Sequence, residues 1–169
     1  MSEVGLLSDD DPVELLEGEV RPVSPQDPLH AARVAALAQR LAIAYRGAHV
    51  HVRSQLPLAA PPHSLPEPDL AVVKGAPLDY MERHPTGSDT SLVVEIARTS
   101  QDADRRKARI YAEAGVSIYW LVDLVAHRLE IFAAPTLSGN VAPREVLSAN
   151  DSVEVPSLGV RWPVSDLVG

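Results

Sequence analysis

The sequence predicts an α+β or mixed α/β fold, in which a central β-sheet is flanked by helices. Two helical segments with apolar faces are interspersed with several strand-like segments along 169 residues, an element order typical of such folds. The composition, with 46% hydrophobic and 22% charged residues, indicates a globular domain with an aliphatic core. This length suits one domain over residues 1–169, of which we expect residues 1–12 to be loosely ordered.

The first half of the chain is predicted to contain a hairpin, a helix and a strand. Gly18 marks the turn of the hairpin, and Asp27 followed by Pro28 combines a side-chain cap with a proline at the first helical position. Residues 59–68 hold four prolines, which cannot donate to a sheet and therefore predict a loop. In chain order, the elements are the hairpin at 17–23, the helix at 29–46 and a half-buried strand at 48–53.

The second half is predicted to consist mostly of strands, with one further helix. The helix is bounded by Thr99 and Ser100 as caps and by Gly115 at its end. The segment at 91–97 is apolar except for Glu95, which is typical of a strand buried on both faces. The predicted elements are strands at 69–73, 91–97, 117–123 and 127–132, the helix at 101–114, and short strands near 143–147 and 152–155.

Composition and charge exclude several functional classes. The chain contains no cysteine, which rules out disulfides, thiolate metal sites and a cysteine nucleophile. No signal peptide and no apolar segment of the roughly 20 residues that span a bilayer is visible, so we expect a cytoplasmic protein without a membrane partner. Most of the net charge of −8 lies in residues 1–30. The nearly neutral remainder does not by itself predict DNA binding.

Lys107 is the most unusual residue, because it falls on the apolar face of the helix at 101–114. The residues that share this face at helical spacing are Ala103, Lys107, Ile110, Tyr111 and Ala114. The neighbouring Arg105, Arg106 and Arg109 fall on the other side of the helix, which we interpret as a solvated face. An unpaired buried charge costs several kcal/mol by rough estimate. A lysine and Glu95 directed towards the same interior therefore predict an active site.

The residue types at this site indicate metal-assisted phosphodiester hydrolysis. If the strands at 69–73 and 91–97 are neighbours, Asp69 and Glu95 converge, which favours either a raised pKa or a bound cation. Mg²⁺, with Mn²⁺ as a substitute, binds through one or two carboxylates and leaves its other positions to water and phosphate oxygens. Lys107 could then orient or help to deprotonate a water molecule, or stabilise charge that grows on the phosphate.

Four segments resemble the Uma-two family of restriction endonuclease-like proteins. They are the segments at 66–73, 92–96, 104–107 and 111–123, and the likeness extends upstream to residues 18–20, to Ser24 and Pro25, and to His30. The family belongs to the PD-(D/E)XK nuclease superfamily. The resemblance implies a restriction endonuclease-like core, with a central mixed β-sheet flanked by α-helices. It also implies an endonuclease that cleaves DNA with Mg²⁺, and a homodimer would allow both strands to be cut.

The resemblance also implies roles for individual residues. Asp69 and Glu95 would bind the metal, and Ile96 could add its backbone carbonyl. The plain motif has a lysine two residues after the second acid, where this chain has Ala97. The family resemblance implies that Lys107 takes the place of that lysine. The accessory residues implied or suggested by position are Glu19, His30 and Tyr111.

Simpler interpretations exist for each of the three catalytic candidates. Asp69 could be a turn residue after proline, Glu95 an edge-strand acid facing solvent, and Lys107 a lysine whose stem covers the core while its amine reaches water. Asp104 and Arg105 are interpreted as surface or helix-cap partners. At the level of function, the alternative is a catalytically inert nuclease-fold binding or interaction module. A nuclease acting on RNA or on single strands would use the same chemistry.

Overall fold

The computed structural model describes residues 13–23, 26–133 and 142–169. The strands are β1 (Val13–Leu16), β2 (Glu19–Pro22), β3 (Val50–Ser54), β4 (Leu70–Lys74), β5 (Thr90–Ala97), β6 (Ile118–Asp123), β7 (Arg128–Ala133), β8 (Glu145–Ser148), β9 (Ser152–Glu154) and β10 (Arg161–Pro163). The helices are α1 (Pro28–Ala44), α2 (Gln101–Glu113) and α3 (Ser165–Val168), with 3₁₀ turns at Pro77–Tyr80 and Gly87–Asp89. None of the helices within these ranges has the length and apolar character that a membrane span requires.

Six strands form one mixed sheet in the order β3-β4-β5-β6-β7-β8. Its neighbouring strands are antiparallel except β5 and β6, which run parallel and are connected through α2. The hairpins β1–β2 and β9–β10 pair separately. This architecture confirms the predicted fold class of a central mixed sheet with flanking helices.

The two faces of the sheet are buried against different helices. Along β4, Leu70 and Val72 belong to a core cluster with residues of α1, whereas Ala71 and Val73 belong to a second cluster with residues of α2. Successive side chains of a strand point to opposite faces, so a strand covered on both sides reads as a continuous apolar segment. The strand at 91–97 was predicted to be buried for this reason, and Glu95 is consequently enclosed by protein.

The helix boundaries follow the predicted capping residues closely. The Asp27 side chain accepts hydrogen bonds from the amides of Leu29 (2.9 Å) and His30 (3.1 Å), and α1 begins at Pro28 as predicted. Helix α2 has Ser100 at its N-cap position, but this side chain makes no cap hydrogen bond. The sequence prediction missed β1 as a separate strand upstream of Gly18, and it missed β10 and α3. The expected loose order of residues 1–12 lies outside the described residues.

Gly87 fixes the end of α2 against the turn that precedes β5. A Cβ atom at Gly87 would lie 2.5 Å from the carbonyl oxygen of Ala114 and 2.6 Å from the amide nitrogen of Val116. Both atoms belong to the backbone that follows α2, which cannot move without shifting the helix. Glycine is therefore required here for close approach of two backbones.

We expect Gly87→Ala to lower the free energy of unfolding by roughly 1–3 kcal/mol, because the added methyl group overpacks a backbone contact. Chemical denaturation followed by circular dichroism measures this change. Ser88→Ala, in the same turn and exposed, is the control and should leave the midpoint unchanged. Equal stability of Gly87→Ala and the unsubstituted protein would show that the α2 terminus adjusts freely.

Candidate active site

Asp69 and Glu95 lie side by side where β4 and β5 pair. The antiparallel register aligns Leu70 with Val94, so the residues next to this pair are neighbours too. The amide of Asp69 donates to Glu95 Oε2 (3.2 Å), and the amide of Ile96 donates to Asp69 Oδ2 (2.8 Å). Asp69 is 8% exposed and Glu95 is 4% exposed. The solvent-facing interpretation of Glu95 is therefore excluded by its burial.

Lys107 reaches the same point from α2. Its Nζ donates to Glu95 Oε1 (3.1 Å) and to Glu14 Oε1 (2.9 Å), and it lies 3.9 Å from Asp104 Oδ1. The residue is 8% exposed, so its amine does not extend into water. Burial lowers the pKa of Lys107, but the surrounding carboxylates of Glu95, Glu14 and Asp104 outweigh this effect and raise the pKa above its ordinary value. The amine is consequently held as a cation.

Glu95 is the most strongly perturbed acid of the site. Burial is the largest cause and raises the pKa of Glu95, and the nearby Asp69 and Asp104 raise it further. The charge of Lys107 and a hydrogen bond from the Tyr111 hydroxyl act in the opposite direction. That hydroxyl donates to Glu95 Oε1 at 2.6 Å. Tyr111 thus lies at the predicted place, packed in the core with its hydroxyl on the site.

Sequence reasoning missed Glu14, a third buried acid. Its Oε1 accepts hydrogen bonds from Lys107 Nζ and from the amide of Glu67, both at 2.9 Å. Glu19, the accessory acid expected from the sequence, lies instead on β2, where its exposed side chain pairs with Arg21 at 3.0 Å. The prediction chose the wrong strand of the hairpin, because β1 was not recognised. The inward alternation of Glu14 with Leu16 was the available signal.

Asp104 is the fourth buried acid of the site. Its interpretation as a surface residue was wrong, whereas its contact with Ser100, the N-cap residue of α2, agrees with its interpretation as a helix-cap partner. It is 6% exposed and accepts a hydrogen bond from the Ser100 hydroxyl at 2.5 Å. Burial raises the pKa of Asp104, with opposing contributions from Lys107 and Ser100. Asp104 lies three residues before Lys107, a spacing that puts both on one helix face. Arg105 pairs with the exposed Asp102 at 2.9 Å, as expected of a surface partner, and it also binds the buried Glu130 at 2.8 Å, which the sequence did not predict.

His30, in the first turn of α1, contacts the carboxylate of Asp69. Its Nε2 lies 3.1 Å from Asp69 Oδ2. This hydrogen bond is the main cause that raises the pKa of His30, against the effect of burial, and the Ile96 backbone adds to the rise. Asp27 accepts a hydrogen bond from the His30 amide and so fixes the backbone at the helix start from which this side chain extends. The other ring nitrogen, Nδ1, is buried without a hydrogen-bond partner among the described residues.

These groups line a cavity of about 800 Å³, which we call the cleft. The four buried acids Glu14, Asp69, Glu95 and Asp104, which we call the acid cluster, all contribute to its lining. Lys107, His30 and Ile96 line it as well. Arg21, Arg98 and Arg106 also line it and are exposed to solvent.

The donor set of the cleft suits a hard divalent cation. Carboxylate and carbonyl oxygens are the ligands that Mg²⁺ prefers, and one or two protein carboxylates are enough for it. Within the described ranges, no three His, Asp or Glu side chains form a ready-made metal cage. The carboxylates of Asp69 and Glu95 are hydrogen-bonded to protein donors instead. The chemistry of the residues therefore fits an open metal site that shares its ion with water or substrate.

Glu14 is buried and Glu19 is exposed, so we expect replacement by alanine to affect the stability of the protein differently at the two positions. Glu14→Ala removes one of the two carboxylates that accept hydrogen bonds from the buried amine of Lys107, and it removes the acceptor of the Glu67 amide. We therefore expect a loss of roughly 1–3 kcal/mol in the free energy of unfolding. Glu19→Ala removes only an exposed pair and should leave the thermal midpoint unchanged. Differential scanning fluorimetry of both variants measures the difference. Equal midpoints would contradict a structural role for Glu14.

Comparison with known proteins relates this geometry to a family. The model of the Uma2 family, described as "Putative restriction endonuclease", matches residues 4–165. The crystal structure of a putative nuclease belonging to DUF820 from Anabaena variabilis ATCC 29413 is similar in fold, with a TM-score of 0.79 and 16% sequence identity over 98% of this chain and 94% of that chain. No curated protein matches the chain. The match along almost the whole chain confirms the resemblance noted in the sequence, and the protein belongs to the Uma2 family of restriction endonuclease-like proteins.

Proposed function

We propose that the protein is a Mg²⁺-dependent endonuclease that hydrolyses phosphodiester bonds of DNA in the cleft. The proposal rests on one observation, the convergence of Asp69, Glu95 and Lys107 in the cleft. Glu95 accepts hydrogen bonds both from the amide of Asp69 and from Lys107 Nζ. Membership of a family described as restriction endonucleases supports nuclease chemistry in general. The metal, the DNA substrate and the residue roles are the finer parts of the proposal.

The charge balance of the cleft supports a cation. The acid cluster holds four carboxyl groups, whereas the cations that contact it within the described residues are the buried Lys107 and, when protonated, the half-buried His30. Buried carboxylates without counter-charge are costly, and they respond by taking up protons or by binding a metal ion. Burial is the largest cause that raises the pKa values of Glu95 and Asp104, and the neighbouring carboxylates raise them further. A divalent cation would neutralise the negative charge while leaving both groups ionised.

In the proposed mechanism, Asp69 and Glu95 would hold the ion, with the backbone carbonyl of Ile96 as a further ligand. The bound ion would supply Lewis acidity towards the phosphate and towards a water molecule. Lys107 is not a general base, because its pKa is raised and its amine stays charged. Its role is to donate hydrogen bonds and positive charge to the water or to the phosphate. His30 orients Asp69, and Tyr111 orients Glu95.

A catalytically inert binding module is the second candidate. The favouring observation is that the Lys107 amine already binds Glu14, and the carboxylates of Asp69 and Glu95 are already engaged by protein donors. In such a protein the same contacts would be purely structural. A measurement of metal binding distinguishes the two candidates. Only the nuclease requires the carboxylates of Asp69 and Glu95 to give up a hydrogen bond from the protein and to bind a metal ion instead.

Cleavage of supercoiled and linear DNA with Mg²⁺ or Mn²⁺ tests the activity. We expect Glu95→Gln and Lys107→Ala to reduce the rate by roughly a hundredfold or more, since each removes charge from the reacting centre. Lys74→Ala is the control, because Lys74 is exposed and does not line the cleft. Circular dichroism establishes that each variant is folded, which matters because removing Lys107 leaves buried acids unpaired.

Three other outcomes of the cleavage assay would change the proposal. Cutting that survives both substitutions would mean a contaminant or a wrongly assigned site. If the well-folded protein cuts no substrate with either metal, the inert binding module is favoured. Cutting of RNA alone would keep the chemistry and change the substrate. Two active sites would allow both strands of a duplex to be cut in one binding event, so a homodimer is part of the proposal. Sedimentation at the concentrations of the assay tests it.

Metal binding has a readout that is independent of activity. A ligand that binds only the folded state stabilises it, by about 2.7 kcal/mol at a hundred times its dissociation constant. We therefore expect Mg²⁺ or Mn²⁺ to raise the thermal midpoint, and Asp69→Asn to abolish this rise. Asp102→Asn, an exposed acid of α2 whose side chain is 87% exposed, should keep it. An equal rise in Asp69→Asn, or none in the unsubstituted protein, would contradict a metal site at Asp69.

A further inference from the structure

The four basic residues of α2 have different surroundings, although they are almost consecutive in sequence. Three of them have carboxylate partners: Arg105 binds Glu130, Lys107 binds Glu95 and Glu14, and Arg109 binds Glu17. Arg106 forms no ion pair with any residue in the described ranges, and its exposed side chain lines the cleft. Within the described part of the chain, the basic helix face that was interpreted as uniformly solvated therefore leaves Arg106 at the cleft without a carboxylate partner.

Two further arginines line the cleft from other elements. Arg98, just after β5, pairs with Asp27 at 3.0 Å, and Arg21, on β2, pairs with Glu19 at 3.0 Å. Both arginine side chains are almost half exposed, at 48% and 45%. Exposed ion pairs contribute little to stability, so either arginine can exchange its carboxylate for another anion at small cost. Together with Arg106, they form what we call the arginine rim.

The rim and the floor of the cleft carry opposite charges. The acid cluster on the floor repels any polyanion, and a strand of nucleic acid has to bring its phosphates past this field. Guanidinium groups match phosphate oxygens with paired hydrogen bonds and keep their charge at any physiological pH. Cations at the entrance therefore compensate for the repulsion by the floor, and they do so where the phosphates next to the reacting one would lie.

We propose that Arg106, with Arg98 and Arg21, binds the phosphate backbone that flanks the reacting phosphodiester. This inference rests on the proposed nuclease function and adds the residues that position its substrate. Backbone contacts of this kind fix the register of a nucleic acid and carry no base sequence. Arg106 is the main contributor, because binding a phosphate costs it no ion pair with any residue that the structure describes.

Fluorescence anisotropy of a labelled oligonucleotide, in Ca²⁺ and over a series of salt concentrations, tests the inference. Arg106→Ala should weaken binding roughly tenfold and lower the slope of log affinity against log salt by about 0.9 for a duplex or about 0.7 for a single strand. Arg106→Lys keeps the charge and should keep the slope. Arg46→Ala is the matched control: this exposed arginine follows the far end of α1, roughly 24 Å from the helix start.

The outcomes separate this inference from the proposed function. If the unsubstituted protein binds and cuts DNA while Arg106→Ala has the same affinity and salt slope, the arginine rim is wrong and the nuclease stands. If Arg46→Ala weakens binding as much as Arg106→Ala, the effect is one of overall charge, and the rim is again wrong. If the unsubstituted protein neither binds nor cuts, the proposed function fails and the inference fails with it.

Discussion

The buried contact of Lys107 with Glu95 and Glu14 is the constraint on which the arrangement of the site depends. The three residues belong to α2, β5 and β1, so one ammonium group joins a helix, the central sheet and the N-terminal hairpin. A buried charge is tolerated only when its partners are held in place. The packing of α2 on the sheet and of the hairpin on α2 must therefore both be correct before this lysine can be buried.

The chain path explains how a lysine on a helix can serve a strand-borne acid. The parallel connection from β5 through α2 to β6 brings the helix back over β5, so Lys107 faces Glu95 although twelve residues separate them. Ala97 follows Glu95 by two residues and therefore lies on the same face of the strand. Its small, fully buried side chain packs in a cluster with Ala108 and Tyr111 of α2. A lysine at position 97 would occupy the space that the helix fills.

The sequence was sufficient to predict burial where the evidence lies in residues that are close together in the chain. Helical spacing alone identified Lys107 as buried, and the apolar context of Glu95 identified an enclosed acid. Glu14 was missed because the burial of a short hairpin strand is decided by distant partners such as Lys107 and the amide of Glu67. Asp104 was missed for another reason, since an acid in the first helical turn is usually a favourable end charge. Counting back three residues from Lys107 would have placed it on the inner face.

The number of donors on Lys107 bears on what the amine can do during catalysis. An ammonium group carries three donors, and Glu95 and Glu14 accept two of them. Asp104 lies 3.9 Å away, which is beyond the range of a hydrogen bond. Among the residues that the structure describes, one donor is therefore left without an acceptor. In the proposed mechanism, this donor would bind an incoming water molecule or phosphate oxygen while Lys107 keeps both partners. Glu95 and Glu14 thus keep the amine charged and still leave one of its N–H groups without an acceptor among the described residues. A lysine with three carboxylate acceptors would have no such N–H group.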